Sequence, residues 1–598
     1  MSQQVSIEIL EPRGVLENPK REGLSAPRLD TLSGKTIAMM GINIPYFHST
    51  SVPFFQALDK KLHERYPDLK VVHMDSFGTP IDPPEKAYDV AKICDAWIEG
   101  VKDAHTQGRH DAGVCMERVG KPGVSVCVDV LRRAKEAAQD LYGMPRVRIA
   151  TVPSADYNAA KDSEELMDKV VDGCIDDIIA ALTTPLTEEE KESFDISCDQ
   201  SPKTFTGANY SEAYEKFLEF CMDTHIGDGL AIAPPTKEAV EWMLTGTTRD
   251  RKEVLGVMYP GDGYATVEKV AINAVMAGAK PEYLPVIMAA VEVMCDPGFN
   301  LCHINTGTLN SQIIMWVNGP IAKEIGLNGG MCYLGPGHRA NSTIGRTLSL
   351  CMMNIGWALL DVEGGLLGQP GRYCNLVFAE NEEASPWNSF AVIQGYDPED
   401  SVVTLDECID VDRDGPMGAM GGSPLEKDMD ALARMLTGLF APLRANKNEP
   451  ATRPAMPKMI EHSITGRYCE LAIYPTTAIQ LAKRGFTKES FTQWLCDQHR
   501  IPWEDFGPVQ QKELLAVAEE GSVPGLAVED CRPGGTIPTY DPRHVALIVA
   551  GDTAGRNAAF RSGAAANVIE DMKVAGAKEG QHWCSRKVTG AALTKAGR

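Results

Sequence analysis

Short apolar runs alternate along residues 35–185 with segments whose apolar side chains recur at helical spacing. The runs predict buried strands, and the spaced segments predict helices that each cover one face of a sheet. Strands are predicted at 36–42, 69–74, 96–100, 124–128 and 147–153. Helices are predicted at 52–66, 84–97, 110–119 and 131–142. Because strands that alternate with helices form βαβ units, we predict an α/β module with a parallel sheet over 35–185.

Two polar stretches flank this module. Residues 1–34 are polar and interrupted by Pro and Gly, which predicts an irregular N-terminal arm. Residues 182–202 are rich in Glu, Ser, Thr and Asp, so we assign 186–229 to a linker and a helix. The remaining 230–598 is expected to form a larger α/β or α+β domain, and a sub-boundary near 410–450 is left open.

The larger domain begins with clear helical patterns. Thr236 and Thr266 each stand before a periodic apolar segment, where a Thr side chain caps a helix N-terminus. Helices are predicted at 235–244, 266–276, 282–294, 424–445, 472–484 and 488–496, and a buried strand at 544–550. Between 295 and 400 the chain is dense in Gly, Asn and Pro, which is typical of functional loops on a rigid scaffold or of irregular β structure.

The composition of the chain argues against two classes of binding partner. With 58 basic and 82 acidic residues among 598, the net charge is −24, so we expect neither nucleic acid nor an anionic membrane as a partner. No apolar run approaches the roughly 18 residues of a membrane span, and the first residues lack the basic and apolar regions of a signal peptide. We therefore expect a cytoplasmic protein. We also expect a homo-oligomer whose substrate is a small molecule.

The 16 cysteines are scattered singly and form no Cys-x-x-Cys pair, which argues against a disulfide scaffold and a structural zinc site. Most are expected to be buried free thiols. The Gly-Asp-Gly at 261–263 and the Gly-Asp-Thr-Ala-Gly at 551–555 are weak phosphate-binding candidates, because they match neither the Walker nor the dinucleotide pattern. The sequence therefore indicates no particular cofactor, and a bound metal ion is not expected.

Candidate chemistry concentrates in the turn-rich segment 295–346. Polar, glycine-rich turns inside an apolar domain often line a ligand cleft, although they also serve as plain connections. The pairs Cys302–His303 and Cys332–His338 each offer a thiol near an imidazole, which is the requirement of a cysteine nucleophile. The same four residues are a weaker metal candidate, because they lack a recognised ligand spacing.

Within that segment, Gly-Pro-Gly-His-Arg-Ala-Asn-Ser-Thr begins at residue 335. His338 is a candidate acid or base near neutral pH, and Arg339 is a candidate clamp for a carboxylate or phosphate. Asn341 and the Ser and Thr after it are expected to cap a helix that runs to residue 350 and carries Arg346, with an anion received at its N-terminus. Asn341 and Arg346 are thus candidate substrate-binding residues. Alternatively, His338 and Arg339 satisfy buried carbonyls at a crowded turn.

Two further groups stand after strand-like runs. Glu380 and Glu382 belong to Ala-Glu-Asn-Glu-Glu-Ala-Ser-Pro-Trp and are candidate general acids or bases, or else members of a solvated loop face. His105 and His110 stand in a loop after a predicted strand of the first module, where α/β proteins bind ligands. Together with His303 they are candidate substrate-binding residues.

Residues 35–155 resemble the UGSC-type family, which is named for a Gly-Ser-Cys motif bearing selenocysteine or cysteine. The resemblance rests on GKTIAMMGIN (34–43), DAWIEG (95–100), HDAGVCMERVGKPGVSV (110–126) and GMPRVRIATVP (143–153). It implies an α/β fold and a thiol or selenol redox role. Residues 101–109 contain no cysteine at the motif position, so the implied fold carries over and the implied redox role does not.

Residues 231–410 resemble a large bacterial domain found with UGSC-like modules, through ATVEKVAINAVMAG, VNGPIAKEIGLNGG, LGPGHRANSTIGR and AENEEASPW. That resemblance implies no particular reaction. Taken together, the residues favour an enzyme that acts on a small organic anion by proton transfer, as a lyase or hydrolase. A thiol-dependent oxidoreductase and a non-catalytic small-molecule-binding or scaffolding protein are the alternatives.

Overall fold

A computed structural model describes most of the chain. The described residues are 4–41, 51–75, 85–102, 111–161, 163–299, 301–306, 311–358, 368, 370–412, 425–436, 445, 447, 464, 469–552, 557–561 and 584–592. Among them, none of the helices combines the length and hydropathy needed to cross a membrane.

The elements follow in chain order. The strands are β1 (Val5–Ile9), β2 (Lys20–Arg21), β3 (Thr36–Gly41), β4 (Lys70–Asp75), β5 (Ala96–Lys102), β6 (Gly123–Val128), β7 (Ile149–Val152), β8 (Phe194–Asp195), β9 (Lys203–Gly207), β10 (Val254–Met258), β11 (Gly263–Thr266), β12 (Gln312–Asn318), β13 (Leu376–Ala379), β14 (Val402–Cys408), β15 (Asp410–Asp412), β16 (Cys469–Ile473), β17 (Ile501–Pro502), β18 (Thr536–Ile537), β19 (Val545–Val549), β20 (Ala558–Arg561) and β21 (Cys584–Lys587). The helices are α1 (Ser51–Arg65), α2 (Lys86–Ile93), α3 (Ala112–Arg118), α4 (Arg132–Leu141), α5 (Ser154–Ala160), α6 (Glu164–Asp172), α7 (Ile175–Thr183), α8 (Glu188–Lys191), α9 (Tyr210–Asp223), α10 (Lys237–Leu244), α11 (Val267–Met276), α12 (Leu284–Met294), α13 (Leu301–Thr306), α14 (Pro320–Glu324), α15 (Arg339–Asn354), α16 (Phe390–Ile393), α17 (Leu425–Met435), α18 (Pro475–Lys483), α19 (Lys488–Asp497) and α20 (Pro508–Glu520).

The first module is built on a five-stranded parallel sheet in the order β4-β3-β5-β6-β7. The apolar side chains of the central strands divide between its two faces. One face packs against α1, α5, α6 and α7, and the other packs against α2 and α3. The predicted α/β module with a parallel sheet is therefore confirmed. β4 lies on one side of β3, whereas β5 and the later strands lie on the other side. The winding direction of the sheet therefore reverses between β3 and β5.

The larger domain has two mixed four-stranded sheets, in the orders β13-β12-β14-β21 and β15-β20-β16-β19. Helices α11, α12 and α15 cover one face of the first sheet. The second sheet packs on the opposite face, where Trp316 and Phe378 meet Ile548 and Phe560. Helices α17, α18 and α19 cover the outer face of the second sheet. The domain is therefore a stack of helices, sheet, sheet and helices, within the predicted α/β or α+β class.

A pair of buried carboxyl groups lies between these two sheets. Asp406 on β14 and Glu470 on β16 share a side-chain hydrogen bond, and both residues are almost inaccessible to solvent. Burial raises the pKa of Asp406 to about 7, although hydrogen bonds from Glu470 and the Glu407 backbone oppose that change. The carboxyl group of Asp406 therefore titrates near neutral pH in the folded state.

The N-terminal arm is more regular than its sequence predicts. β1 pairs with β9 and β2 pairs with β8, so the prediction of a wholly irregular arm over 1–34 is wrong. Hydrophobic periodicity does not predict strands in such polar, glycine-containing segments, because these strands are stabilised by pairing with segments far along the chain. Residues 5–17 lie along the larger domain, where Gly14 N donates to Asn354 O at 3.0 Å. Residues 20–32 lie along the first module, where Arg28 forms a buried ion pair with Glu117.

Two helices begin at the threonines that the sequence predicts as their N-caps. The Thr236 side chain accepts from Ala239 N, and the Thr266 side chain accepts from Lys269 N, so both predicted N-caps are confirmed. The helix predicted over 472–484 is only partly correct, because β16 occupies its first residues and α18 begins after it. Likewise, the helix predicted over 84–97 ends at Ile93, and β5 follows.

Candidate functional site

The carboxyl ends of four strands from two sheets meet in the larger domain. β12 runs parallel to β13, and β16 runs parallel to β19. The residues at or just after these strand ends are Asn318, Glu380, Tyr474 and Gly551. Carboxyl ends of parallel strands are where α/β proteins bind ligands, because the connecting loops diverge there. We call this region the convergent edge.

Glu380 is the centre of the convergent edge. Its Oε1 accepts from Lys488 Nζ at 2.6 Å and from Val549 N at 3.4 Å. Its Oε2 accepts from Asn318 Nδ2 at 2.8 Å and from Phe390 N at 2.7 Å. The side chains of Glu380 and Lys488 are buried, with exposed fractions of 0% and 4%. A carboxylate that accepts four hydrogen bonds fixes the strands around it and has little capacity left for a substrate proton.

The next residues join the two strand pairs. Asn381 N donates to Val549 O at 2.7 Å, and Asn381 Nδ2 donates to Gly551 O at 2.9 Å. The Oε1 atom of Glu382 accepts from Asn318 Nδ2 at 2.8 Å and from Gly319 N at 2.9 Å. The predicted carboxylates therefore do lie at a strand end, and both are engaged in holding β12 and β13 against the second sheet.

The glycine-rich loop before α15 lies on the same edge. Asn328 O accepts from Ala379 N at 3.2 Å, and Gly329 O accepts from Gly551 N at 2.8 Å. The Asn341 amide holds the loop in place, because it donates to Asn328 O and Val377 O at 2.9 Å each. The loops of residues 326–338 and 380–387 therefore both contact Gly551.

The predicted reactive side chains of this loop have different surroundings. Cys332 is exposed and adopts a left-handed backbone conformation with φ of 57°. His338 is partly exposed at the N-cap position of α15, and among the described residues its ring makes no hydrogen bond. The helix begins at Arg339 and ends at Asn354, so the prediction that Asn341 and its neighbours cap it and that it ends near 350 is wrong. The Asn341 side-chain amide instead donates to backbone carbonyls of the loop that precedes the helix.

The two predicted anion-binding arginines have protein partners. Arg339 donates to Gly278 O through Nε at 3.1 Å and Nη2 at 2.9 Å, just beyond the C-terminus of α11. Arg346 forms a two-point ion pair with Asp228, at 2.7 Å and 2.9 Å. A helix C-terminus attracts a cation, so Arg339 stabilises the packing of α15 on α11. Arg339 therefore binds a carbonyl, although this contact is exposed and not buried as the alternative interpretation expected.

Cys302 and His303 lie on the short helix α13, and their side chains lie outside the described part of the structure. The end of that helix is held by buried Arg372, which donates to Ile304 O at 2.9 Å and to Ser311 O at 3.2 Å. Burial raises the pKa of Cys295 to about 12 and that of Cys221 to about 12. Such thiols are held in the protonated, unreactive form.

A second polar group is buried in the first module. Lys135 Nζ donates to Asp111 and, at 3.2 Å, to Glu99 Oε2, and the Lys135 side chain has no exposed area. Ser125 Oγ donates to Glu99 Oε2 at 3.3 Å, and Asp111 Oδ1 caps α3 by accepting from Val114 N. Burial by itself lowers the pKa of Lys135, but Asp111 and Glu99 outweigh it, so the pKa is raised above the ordinary value.

This group flanks the predicted histidine loop. Glu99 pairs with Met40 one residue before β3 ends, at the reversal of the winding between β3 and β5. Asp111 is the first described residue after that loop. His105 and His110 themselves lie outside the described residues. Lys135 therefore connects the two sides of the segment in which both histidines stand.

Sequence reasoning missed the partners of these carboxylates. Lys488 is 108 positions from Glu380, Asn318 is 62 positions from it, and Lys135 is 36 positions from Glu99. No local motif marks these residues, because a buried lysine on an amphipathic helix has the same spacing as a solvent-exposed one. Only the three-dimensional pairing reveals them.

Comparison with known proteins identifies one part of the chain. The sequence model of the UGSC family matches residues 8–184, which comprise most of the arm and the parallel-sheet module. The predicted resemblance is confirmed and extends further toward the N-terminus than the stretches that suggested it. No curated protein and no solved structure matches the chain. Fold and comparison together define an α/β protein whose N-terminal module is similar to the UGSC family.

Proposed function

We propose that the chain is an enzyme that acts on a small organic anion by proton transfer, as a lyase or hydrolase, at the convergent edge. The observation that supports this most is the meeting of four strand ends around the buried Glu380–Lys488 pair, with the loop of Cys332 and His338 laid over them. Preorganised polar groups on a rigid scaffold are what general acid–base catalysis requires.

His338 is the proton-transfer residue of this proposal. Its ring is partly exposed and uncommitted among the described residues, and an imidazole exchanges protons near neutral pH. Glu380 and Glu382 act as positioning residues, because their oxygens are occupied by Asn318, Lys488 and backbone N–H groups. Their predicted role as a general base is therefore replaced by one of support.

The described side chains give less support to the two alternative functions. A thiol-dependent oxidoreductase needs a thiolate, and each described cysteine with a resolved pKa shift has its pKa raised by burial. Cys332 is an exposed thiol on the loop that contacts the convergent edge, and it is the cysteine on which this alternative is tested. A non-catalytic binding protein remains the second alternative, and it predicts binding without turnover.

A reaction-independent assay tests the proposal. The protein is incubated in D2O with a panel of small hydroxy acids, keto acids, amino acids and phosphate esters, and ¹H NMR follows C–H exchange, elimination and hydrolysis. We expect turnover of at least one compound and a loss of about 100-fold or more in His338→Gln, the scale of a removed acid–base group. His225→Gln is the control, because His225 is exposed and belongs to no described cluster.

The outcomes separate the three functions. Equal turnover in H338Q and the parent chain contradicts the role of His338. Turnover abolished by Cys332→Ser but retained by H338Q supports the thiol enzyme. Saturable binding of a panel compound with no chemical change in any sample supports the binding protein, and it contradicts the enzyme.

A further inference from the structure

Two buried polar atoms have no hydrogen-bond partner among the described residues, although their side chains hydrogen-bond to Tyr474. They are Nδ2 of Asn557 and Oδ1 of Asp428, on side chains that are buried and otherwise well held. Asn557 has no exposed area, and Asp428 is 3% exposed. Buried polar atoms in native proteins are almost always paired, so each unpaired atom calls for a water, an ion or a ligand.

Both atoms are arranged around Tyr474, which follows β16. Asn557 Oδ1 accepts from Tyr474 N at 3.2 Å, so the Asn557 amide group lies at the start of α18. Asp428 Oδ2 accepts from Tyr474 Oη at 2.8 Å and from Thr477 Oγ1 at 3.3 Å. An unused N–H donor thus lies at the backbone end of Tyr474, and an unused carboxylate oxygen lies at its phenol end.

The start of α18 adds a favourable environment for negative charge. Tyr474 is its N-cap, the Tyr474 side chain does not cap the helix, and Pro475 occupies the first turn. Helix N-termini attract anions through their free N–H groups and the macrodipole. Gly551 faces this point, since a Cβ at Gly551 would lie 3.8 Å from the Cβ of Tyr474. Its φ of 93° favours glycine there.

We propose that this corner of the convergent edge binds a small oxyanion that also carries a hydroxyl or amine donor. The oxyanion accepts from Asn557 Nδ2 at the N-terminus of α18. The donor of the same molecule satisfies Asp428 Oδ1. The carboxylate of Asp428 repels an anion that brings no donor, so the pair of orphan atoms selects hydroxy acids, amino acids and protonated phosphate over plain carboxylates.

The inference does not rest on the proton-transfer proposal, because it concerns binding alone. Gly551, which follows β19, is also the first residue of the Gly-Asp-Thr-Ala-Gly sequence, a weak phosphate-binding candidate of which the structure describes only the first two residues.

Calorimetric titration and thermal unfolding of the full chain test the inference with three probes, which are inorganic phosphate, glycolate and acetate at equal ionic strength. Glycolate carries both the oxyanion and the hydroxyl donor, whereas acetate carries only the oxyanion. We expect glycolate or phosphate to bind and acetate to bind about tenfold more weakly, since one hydrogen bond to a charged group is worth about 1.5–3 kcal/mol.

Two variants separate the two atoms. Asn557→Asp keeps an acceptor for Tyr474 N but replaces the unused donor with an oxygen, so we expect about tenfold or more loss for every probe. Asp428→Asn replaces the unused acceptor, so the preference for glycolate over acetate disappears. Asn209→Asp is the matched control, because Asn209 caps α9 at an exposed position where Asp caps equally well.

Three results overturn the inference. They are no binding of any probe to the parent chain, equal binding of glycolate and acetate, and unchanged binding in N557D. If N557D unfolds without ligand at a lower temperature than the parent chain, Asn557→Ser provides the second variant. It also removes the amide donor, and unchanged probe binding in that variant contradicts the inference equally. If phosphate binds and glycolate does not, the ligand is a phosphate rather than a hydroxy acid.

Discussion

Lys488 on α19 donates to Glu380 at the end of β13 across 2.6 Å, and the ion pair is buried between the two halves of the larger domain. The pair joins the first sheet to the helices that cover the second sheet. Because Val549 N also donates to Glu380, the carboxylate contacts both sheets. One acidic side chain thus fixes the relative position of the elements that form the convergent edge.

Removal of the Lys488 ammonium is expected to be strongly destabilising. In Lys488→Met, the Glu380 carboxylate remains buried without its cation, and such a loss typically costs about 3–5 kcal/mol of unfolding free energy. Glu380→Gln is also expected to be strongly destabilising, because Lys488 then remains buried without its carboxylate and the NH2 group of the new amide faces groups that themselves donate. Urea unfolding followed by circular dichroism measures both variants.

The neighbouring pair Lys323–Glu383 is a control on the same edge. Both of its side chains are about four-fifths exposed, at 81% and 79%. Exposed ion pairs contribute about 0–1 kcal/mol, so Lys323→Met should change the unfolding free energy little. Equal effects of K488M and K323M would contradict the assignment of Glu380 as the buried anchor of the edge.

The first module has a comparable buried cation. Lys135→Met removes the buried ammonium group that pairs with both Glu99 and Asp111, so we expect a loss of about 3–5 kcal/mol. Lys92→Met is the control, because the Lys92–Asp89 pair is more than 70% exposed. Differential scanning calorimetry should show a lower unfolding temperature for K135M alone. A K135M protein as stable as the parent chain would show that Asp111 and Glu99 are neutral or solvated.

Asp406 predicts a pH dependence of stability. Its pKa is about 7 in the folded state against 3.8 in the reference state, so the folded chain holds a proton that the unfolded chain releases. Stability from this group is therefore greatest below about pH 4 and falls as the pH rises toward 7, after which it is constant. The difference of about three pKa units corresponds to roughly 4 kcal/mol.

Asp406→Asn removes this titration. The unfolding free energy of D406N relative to the parent chain should rise between pH 4 and pH 7, because only the parent chain loses stability over that range. Exposed Asp397→Asn should show no such relative change. A difference between D406N and the parent chain that does not vary with pH would mean that Asp406 titrates normally.

At Gly345 in α15, packing is expected to reverse the usual effect of a glycine-to-alanine substitution on the unfolding free energy. Glycine to alanine inside a helix usually stabilises by about 1 kcal/mol. Here a Cβ would lie 1.7 Å from the backbone oxygen of Cys374, so α15 must move away from the segment before β13. We expect Gly345→Ala to destabilise by about 1–3 kcal/mol, the cost of an overpacked core. Ser342→Ala, on the less buried side of the same helix, should be neutral or stabilising in the same urea titration.

The sequence carries enough information for the elements of the first module but not for its buried charges. The sequence pattern alone places β3, β6, α1 and α4 close to their observed bounds, because the two strands are continuously apolar and the two helices each have one apolar face. It fails where the chain changes from strand to helix within a few residues, as between β16 and α18. Proline at the start of α18 marks that change, whereas hydrophobic periodicity does not.

The candidate site was predictable only in its outline. Glycine-rich turns and a strand-end carboxylate predicted a site built from the loops of 295–387, and the structure places the loops of 326–338 and 380–387 along one edge. The roles of individual residues were not predictable, since Arg339 and Arg346 have the same sequence signature whether they bind a ligand or a carbonyl and Asp228. Asn557 and Asp428 gave no signal at all, because an unpaired atom is a property of the packed structure.

The arm has a consequence for how the family module can be shared between proteins. Its first part contributes β1 to the ribbon with β9, and Asn273 Nδ2 of the larger domain donates to Pro12 O at 3.2 Å. Its second part is held by the Arg28–Glu117 pair of the first module. Residue 8, where the family match begins, therefore lies in a strand that packs on the other domain. The first module therefore does not form a self-contained unit with residues 8–184. Replacement of either the module or the larger domain by a homologous one also requires replacement of the part of the arm that packs on it.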